Sequence, residues 1–194
     1  MQGKIFEGDY KTRCKNIDSL LCVGDTFDML KREIRLGDRH AVFYMIDGFL
    51  KGEVLEKIME FFLSLAPEDV PETYEDFLKK CTPYGDIVTV TTEQDFLHYV
   101  LSGLTGFVVE GYDEILVIDL RDYPSRSVEE PDKDKVLRGS RDGFVEAIMP
   151  NIALIRRRIR DVDLKFEIYS IGSSSRTDIS VVYMKDRVNQ KALS

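Results

Sequence analysis

The chain has 194 residues, 43% of them hydrophobic, which is enough apolar material for the core of one domain or two small ones. Residues 1–120 carry 12 basic and 23 acidic side chains, and within a net charge of −8 this acidic front excludes a general nucleic-acid binder. The sequence has no export signal and no apolar run of the roughly 18–20 residues that cross a bilayer, so we expect a soluble, cytoplasmic domain.

Strand and helix patterns alternate through the first third of the chain. Residues 10–23 have helical apolar spacing, and residues 27–37 alternate apolar and polar side chains as in a half-exposed strand. Residues 40–49 are apolar almost without break, which is typical of a central strand covered on both faces. Apolar residues three and four apart then predict an amphipathic helix that stops at Pro67.

The alternation continues to residue 122. A short helix at 74–81 and a strand at 86–91 precede a helix that Thr92 opens, and two adjacent strands follow at 106–111 and 114–120. This order predicts an α/β fold, with residues 1–122 forming an N-terminal α/β subdomain built on a mixed sheet.

The last part of the chain predicts a second, smaller unit. One helical stripe should face its core, and it consists of Phe144, Ile148, Ile152, Ile155 and Ile159. Pro150 lies inside this stripe and predicts a kink or a late helix start. Two strands at 165–172 and 177–184 and the start of a helix follow. We expect residues 143–194 to be a partial second α/β subdomain with a mixed sheet, truncated at its C-terminus.

Residue types that carry out catalysis are sparse. His40 and His98 are more typical of structural or surface positions, and no nucleophile-elbow, metalloprotease or paired-cysteine motif is present. The three cysteines are Cys14, Cys22 and Cys81, and their odd number and spacing favour reduced structural thiols. Asp47 before Gly48 is more typical of a turn than of a ligand site. The sequence therefore predicts no enzyme, no metal site and no cofactor.

Charge is concentrated in the middle of the chain. Residues 121–142 contain six basic and six acidic side chains, and we name this stretch the charged segment. A second cluster consists of Arg156, Arg157, Arg158 and Arg160. These arginines either form local ion pairs at a solvated helix end or hold carboxylates of the charged segment, because guanidinium binds a carboxylate at two points.

Three stretches around the charged segment resemble a known family. They are YPSRSVEEP at 123–131, KVLRGSRDGFVE at 135–146 and NIALIRRRI at 151–159. Together they resemble the signature of the GerA family, the A subunits of spore germinant receptors and their relative SpoVAF. Residues 48–49, 65–69 and 139–140 favour the SpoVAF branch over a germinant receptor A subunit.

The resemblance implies the N-terminal soluble domain of a multi-pass protein of the spore inner membrane, on the cytoplasmic side, with a part in germination through ion release. Two α/β subdomains joined by a linker at 123–142 are expected, and so are a homo-oligomer or other germination-complex subunits as partners. A small-ligand-binding module that senses a germinant or metabolite is the alternative, although the family provides no ligand residue.

We assign the linker contacts between subdomains or subunits to nine residues: Arg126, Glu129, Glu130, Arg138, Gly139, Arg141, Gly143, Glu146 and Arg156. The charged members would fix the relative orientation of the two subdomains by ionic hydrogen bonds. Gly139 and Gly143 would permit backbone geometry that side chains forbid.

Overall fold

The structure is a computed structural model that describes residues 3–50, 52–81, 86–123 and 143–193. Its helices are α1 (Tyr10–Leu20), α2 (Gly52–Ser64), α3 (Tyr74–Cys81), α4 (Glu93–Leu101), α5 (Ile148–Arg158) and α6 (Gln190–Leu193). Its strands are β1 (Met29–Leu36), β2 (Arg39–Ile46), β3 (Ile87–Val90), β4 (Thr105–Val109), β5 (Ile115–Ile118), β6 (Leu164–Ile171) and β7 (Thr177–Met184). The predicted α/β class is confirmed.

The five strands of the N-terminal part form one sheet in the order β1-β2-β4-β5-β3. The sequence predicted a mixed sheet, and this detail is wrong, because every pairing between the described strands is antiparallel. The strands β3 and β4, which α4 connects, do run in the same direction, as strand-helix-strand alternation predicts. They do not pair, however, because β5 lies between them and is antiparallel to both.

Strand β2 is an interior strand covered on both faces, as its unbroken apolar sequence predicted. Val42, Tyr44 and Ile46 enter the core on the face that carries α1 and α4. Phe43 lies on the opposite face, in the core that also contains residues of α2 and α3. The centroid of its ring is 4.3 Å from that of the Phe107 ring. Alternate side chains of a strand point to opposite faces, so this one strand contributes to both cores.

Local signals set the helix starts. The carboxylate of Asp9 accepts a hydrogen bond from the backbone N–H of Thr12 at 2.9 Å, and Thr92 caps α4 through the N–H of Asp95 at 3.1 Å. The late helix start expected at Pro150 is confirmed, because α5 begins at Ile148 and Pro150 is its third residue. Proline fits there because the N–H groups of the first turn have no partner within the helix.

The C-terminal part consists of α5 and an antiparallel hairpin of β6 and β7, paired from Leu164↔Met184 to Ile171↔Thr177. Its small core contains Ile152, Leu164 and Phe166. The expected core-facing stripe is too long, since Phe144 and Ile159 lie outside α5 and are exposed. The late helix start and the helix end at Arg158 remove both residues from the helical period.

The division into subdomains stays a prediction, because most of the expected linker, residues 124–142, lies outside the described part of the chain. Ala153 of α5 belongs to the core on the α1 and α4 face, so the C-terminal helix packs directly against the five-stranded unit. Among the helices of the described ranges, none combines the length and apolar character needed to span a membrane.

Candidate functional site

A buried ion pair joins the start of β1 to the end of α5. The side chain of Arg156 binds the carboxylate of Asp28 at two points, with Nε 2.6 Å from Oδ2 and Nη2 3.0 Å from Oδ1. Arg156 is 1% exposed and Asp28 is fully buried. Two parallel N–H···O bonds of this kind fix the orientation of both groups as well as their distance.

The remaining polar atoms of the pair have partners of their own. Arg156 donates from Nη1 to the carbonyl oxygen of Asp161 at 2.7 Å and from Nη2 to that of Leu164 at 2.8 Å. The Thr26 hydroxyl donates to Oδ1 of Asp28 at 2.7 Å. A buried ion pair is tolerated when such additional hydrogen bonds satisfy it, so the Asp28–Arg156 pair is the centre of a complete network.

Backbone bonds connect the same elements around the ion pair. The N–H of Phe27 donates to the carbonyl of Phe166 at 2.9 Å, and the N–H of Phe166 donates to the Thr26 hydroxyl at 3.1 Å. The guanidinium of Arg156 also lies over the Phe166 ring, 5.1 Å from its centroid. The loop before β1, the end of α5 and the start of β6 therefore form one joint, which we name the Asp28–Arg156 joint.

Two further arginines of the cluster also contact the N-terminal part. The guanidinium of Arg157 lies 4.6 Å from the centroid of the Tyr123 ring, and the Tyr123 hydroxyl donates to the carbonyl of Ser102 at 2.6 Å. Arg160 donates from Nη1 to the hydroxyl of Ser102 at 3.1 Å. These contacts extend the joint from β1 to the end of α4.

An exposed ion pair lies at the outer side of the joint. Lys185, which follows β7, is 3.0 Å from the carboxylate of Asp25. The hydrogen bond and the charge of this lysine lower the pKa of Asp25, and the same contact raises the pKa of Lys185. Both side chains face water, so the pair contributes little to stability compared with the buried one.

The structure reaches three of the nine residues assigned to linker contacts. Arg156 is buried in the joint, where its carboxylate partner is Asp28 and not an acid of the charged segment. Glu146 and Gly143 are exposed before α5, and within the described ranges no ion pair involves Glu146. The other six, which lie outside the described residues, are Arg126, Glu129, Glu130, Arg138, Gly139 and Arg141.

Sequence reasoning missed Asp28, the residue that completes the joint. It lies 128 positions from Arg156, and within the strand predicted at 27–37 it has the pattern of an ordinary polar residue. A lone carboxylate between apolar neighbours was the available signal, because a buried acid requires a cation or several donors.

Other candidate sites have structural roles. Asp47 and Gly48 form a turn, as predicted, and the N–H of Asp47 donates to the carbonyl of Asp28 at 2.8 Å. The His40 ring stacks near Tyr10, with centroids 6.3 Å apart. No group of three His, Cys, Asp or Glu side chains within the described ranges could hold a metal ion.

The comparisons with known proteins agree with this fold. A family profile described as "Bacillus/Clostridium GerA spore germination protein" matches residues 17–194. The chain belongs to the GerA family. The resemblance found in the sequence is therefore confirmed, and the stretches that carried it lie within the matched range.

Two similar proteins are longer than the stretch that matches this chain. Stage V sporulation protein AF of Bacillus subtilis (strain 168) is 36% identical over 166 residues, which cover 84% of this chain and 34% of that protein. The uncharacterized membrane protein YfkQ of the same strain is 25% identical over 182 residues, covering 92% of this chain and 35% of that protein. The chain thus spans about a third of the length of these relatives.

A solved structure of a spore germinant receptor domain shares the fold. The N-terminal domain of the A subunit of the Bacillus megaterium spore germinant receptor GerK3 superposes with a TM-score of 0.69 at 19% sequence identity. The match covers 96% of this chain and 69% of that chain. At this identity the likeness establishes the fold of the chain.

Proposed function

We propose that this GerA-family domain is a non-enzymatic regulatory and assembly unit of a spore germination membrane complex. In this role the Asp28–Arg156 joint keeps the C-terminal part, which consists of α5 and the β6–β7 hairpin, in a fixed orientation on the five-stranded sheet. The domain lies on the cytoplasmic side of the spore inner membrane, and its partners are further copies or other germination-complex subunits. It takes part in ion release by holding its two parts in one relative orientation. It does not bind nucleic acid.

The observation that carries this proposal is the burial of a fully satisfied, two-point ion pair between distant parts of the chain. Isolated exposed pairs contribute only about 0–1 kcal/mol, whereas loss of one partner of a buried pair costs about 3–5 kcal/mol. A joint with this geometry resists rotation of one unit against the other, because both hydrogen bonds require the same plane.

The membrane context of the proposal comes from the relatives. One relative is named a membrane protein and another a sporulation protein, and the domain with the same fold belongs to a spore germinant receptor subunit. We extend that context to this chain because the family is the same and the described residues provide a scaffold without a recognisable reaction centre.

The test weakens the joint in the full-length protein by a substitution that should leave the domain folded. Arg156→Lys keeps the charge and the buried stem but removes the planar fork, so we expect a folded domain with a looser joint. Assembly of the membrane complex, measured by co-purification, and ion release from germinating spores should both decrease. A folded Arg156→Lys protein with normal assembly and normal ion release would contradict the proposal.

The matched control is Lys185→Met, which removes the exposed contact with Asp25 near the same joint. Because that pair is solvated, we expect normal assembly and ion release. Circular dichroism and the amount of each variant in the membrane separate a defect of the joint from a general loss of folded protein.

The second candidate is the small-ligand-binding module that senses a germinant or metabolite. The fold shared with a germinant receptor domain favours it. One described pocket of about 280 Å³ is lined by Phe144, Leu154, Ile155, Arg158 and Ile159. Small-molecule sites usually enclose about 300–1,000 Å³ with several convergent polar groups, so this candidate ranks second. A thermal shift with amino acids, sugars or nucleotides would support it.

A further inference from the structure

A lysine at the start of β6 is buried without a partner. Lys165 is 1% exposed, and its Nζ atom has no hydrogen-bond partner within the described ranges. The removal of an ammonium group from water is costly, so buried charges in proteins are paired or hydrogen-bonded. An unpartnered buried ammonium group therefore indicates that an acceptor reaches it in a second arrangement of the neighbouring side chains.

Asp25 has the carboxylate that the fold places beside this ammonium group. In the hairpin register Lys165 pairs with Tyr183, so both side chains point to one face, and Lys185 continues that face two residues later. Asp25 lies on the same face, because its carboxylate is 3.0 Å from Nζ of Lys185. The pKa of Asp25 is lowered chiefly by the hydrogen bond from Lys185 and also by the charge of Lys165. Asp25 thus has an exposed and a buried lysine within electrostatic reach.

The backbone on both sides of Asp25 is held by hydrogen bonds, whereas its side chain is free to turn. The N–H of Val23 donates to the carbonyl of Asp18 at 2.9 Å. The N–H of Phe27 donates to the carbonyl of Phe166, also at 2.9 Å. The Asp25 side chain is 52% exposed, so rotation of χ1 between staggered rotamers can redirect the carboxylate while the loop backbone stays in place.

We propose that Asp25 is a shared carboxylate with two positions, an outer position on Lys185 and an inner position on Lys165. The outer position is the one seen in the structure. In the inner position the carboxylate leaves water, but it neutralises an ammonium group that is already buried. Because an exposed pair contributes little, the two positions differ by a small free energy and both are populated. This inference does not depend on the assembly role proposed above.

The two positions respond differently to dissolved ions. Salt screens exposed charges, whereas it screens buried pairs much less. A rise in ionic strength therefore weakens the contact with Lys185 and shifts Asp25 toward Lys165. Asp25 lies three residues before Asp28, so this shift occurs in the loop that leads into the Asp28–Arg156 joint. The shared carboxylate is in this way an ion-sensitive element next to the joint.

Removal of the carboxylate tests whether Lys165 depends on it. Asp25→Asn should leave the buried ammonium group without a counter-ion and lower the urea midpoint of the chain by about 1 M or more. The loss of an exposed pair alone should lower the midpoint by about 0.5 M at most. Addition of Lys165→Met to the Asp25→Asn protein should restore the midpoint, because the uncompensated charge is then absent.

Two single substitutions are the controls for this experiment. Lys185→Met removes only the outer partner, and Asp163→Asn removes another acidic side chain, two residues before Lys165. Each should lower the midpoint by about 0.5 M at most. Equal losses from Asp25→Asn and Lys185→Met, or no recovery with Lys165→Met, overturn the proposal. A large loss from Asp163→Asn that Lys165→Met reverses also overturns it, because Asp163 is then the counter-ion.

Carbon NMR of the Asp25 carboxyl group tests the response to ions. Lys185→Met leaves only the inner position and Lys165→Met only the outer one, so these variants provide two reference chemical shifts. In the wild-type chain the chemical shift should lie between the references, and the inner fraction should rise by about twofold when KCl is raised from about 0.05 M to about 0.5 M. A wild-type shift that equals the outer reference at both salt concentrations would show that Asp25 has a single position.

Discussion

Gly48 and Ala153 approach each other so closely that a Cβ atom on Gly48 would lie 3.2 Å from the Cβ of Ala153. Gly48 also has a φ of +81°, a conformation that L side chains rarely adopt. We therefore expect Gly48→Ala to reduce the free energy of unfolding by about 1–2 kcal/mol, measured by urea denaturation. This loss of stability should come from the disturbed contact between the β2–α2 turn and α5.

Gly52→Ala is the matched control for this change. A Cβ at Gly52 would meet nothing within 4 Å, and Gly52 is the first residue of α2. Alanine favours helix, so its effect should be neutral or slightly stabilising. Equal destabilisation by both substitutions would show that the approach of α5 to Gly48 is not what Gly48→Ala disturbs.

The Asp28–Arg156 pair predicts strong coupling between two residues that are far apart in the sequence. Asp28→Ala or Arg156→Ala alone should lower the free energy of unfolding by about 3–5 kcal/mol, because each leaves an uncompensated buried charge. The double variant should lose clearly less than the sum of the two single losses, since neither charge is then stranded. Urea denaturation of the four proteins measures the coupling, and additive losses would contradict a direct pair.

Sequence reasoning succeeded where the signal is local. The cap at Thr92 and the late start at Pro150 follow from residues within one helical turn, and both are present in the structure. The unbroken apolar run of β2 likewise reports a strand buried on both faces, whatever its neighbours are. These features depend on backbone propensity and apolar spacing, which a short stretch of sequence contains.

Features that depend on distant partners were beyond this reasoning. The insertion of β5 between β3 and β4 made the sheet antiparallel, and strand order has no local signature. Arg156 was identified as a contact residue, but its partner was not, because a lone carboxylate between apolar neighbours, as at Asp28, indicates a buried acid without indicating which distant cation binds it. The pairing of the charged segment stays a prediction, because its six assigned contact residues lie outside the described part of the chain.

The geometry of the β6–β7 hairpin predicts that the pKa values of two tyrosines depend on one carboxylate. Tyr169 and Tyr183 both donate hydrogen bonds to Glu167, which lowers the pKa of Glu167 and raises that of Tyr183 to about 12. A tyrosine pKa raised in the folded state contributes stability that is present below about pH 10 and is lost as the pH rises toward 12. The lowered pKa of Glu167 adds stability that is lost in acid.

Glu167→Gln tests this titration. Removal of the negative charge should shift the pKa of Tyr183 from about 12 toward the ordinary tyrosine value of about 10, followed by NMR of the labelled tyrosine rings. Glu146→Gln, which changes an exposed glutamate before α5, is the control and should leave Tyr183 unchanged. An unshifted Tyr183 in the Glu167→Gln protein would show that the carboxylate does not set its pKa.

The hydrogen bonds of the buried Arg13 side chain predict that it stabilises the N-terminal part of the chain. Its side chain donates to the carbonyl oxygens of Ile5, Tyr112 and Asp113 at 3.2, 2.7 and 2.8 Å. Arg13→Met would leave these acceptors without their donor, and we expect a loss of about 2–4 kcal/mol in the free energy of unfolding. Arg32→Met applies the same substitution at an exposed position of β1 and should change stability by less than about 0.5 kcal/mol. Urea denaturation compares the two variants, and equal losses would mean that the three hydrogen bonds of Arg13 do not contribute to stability.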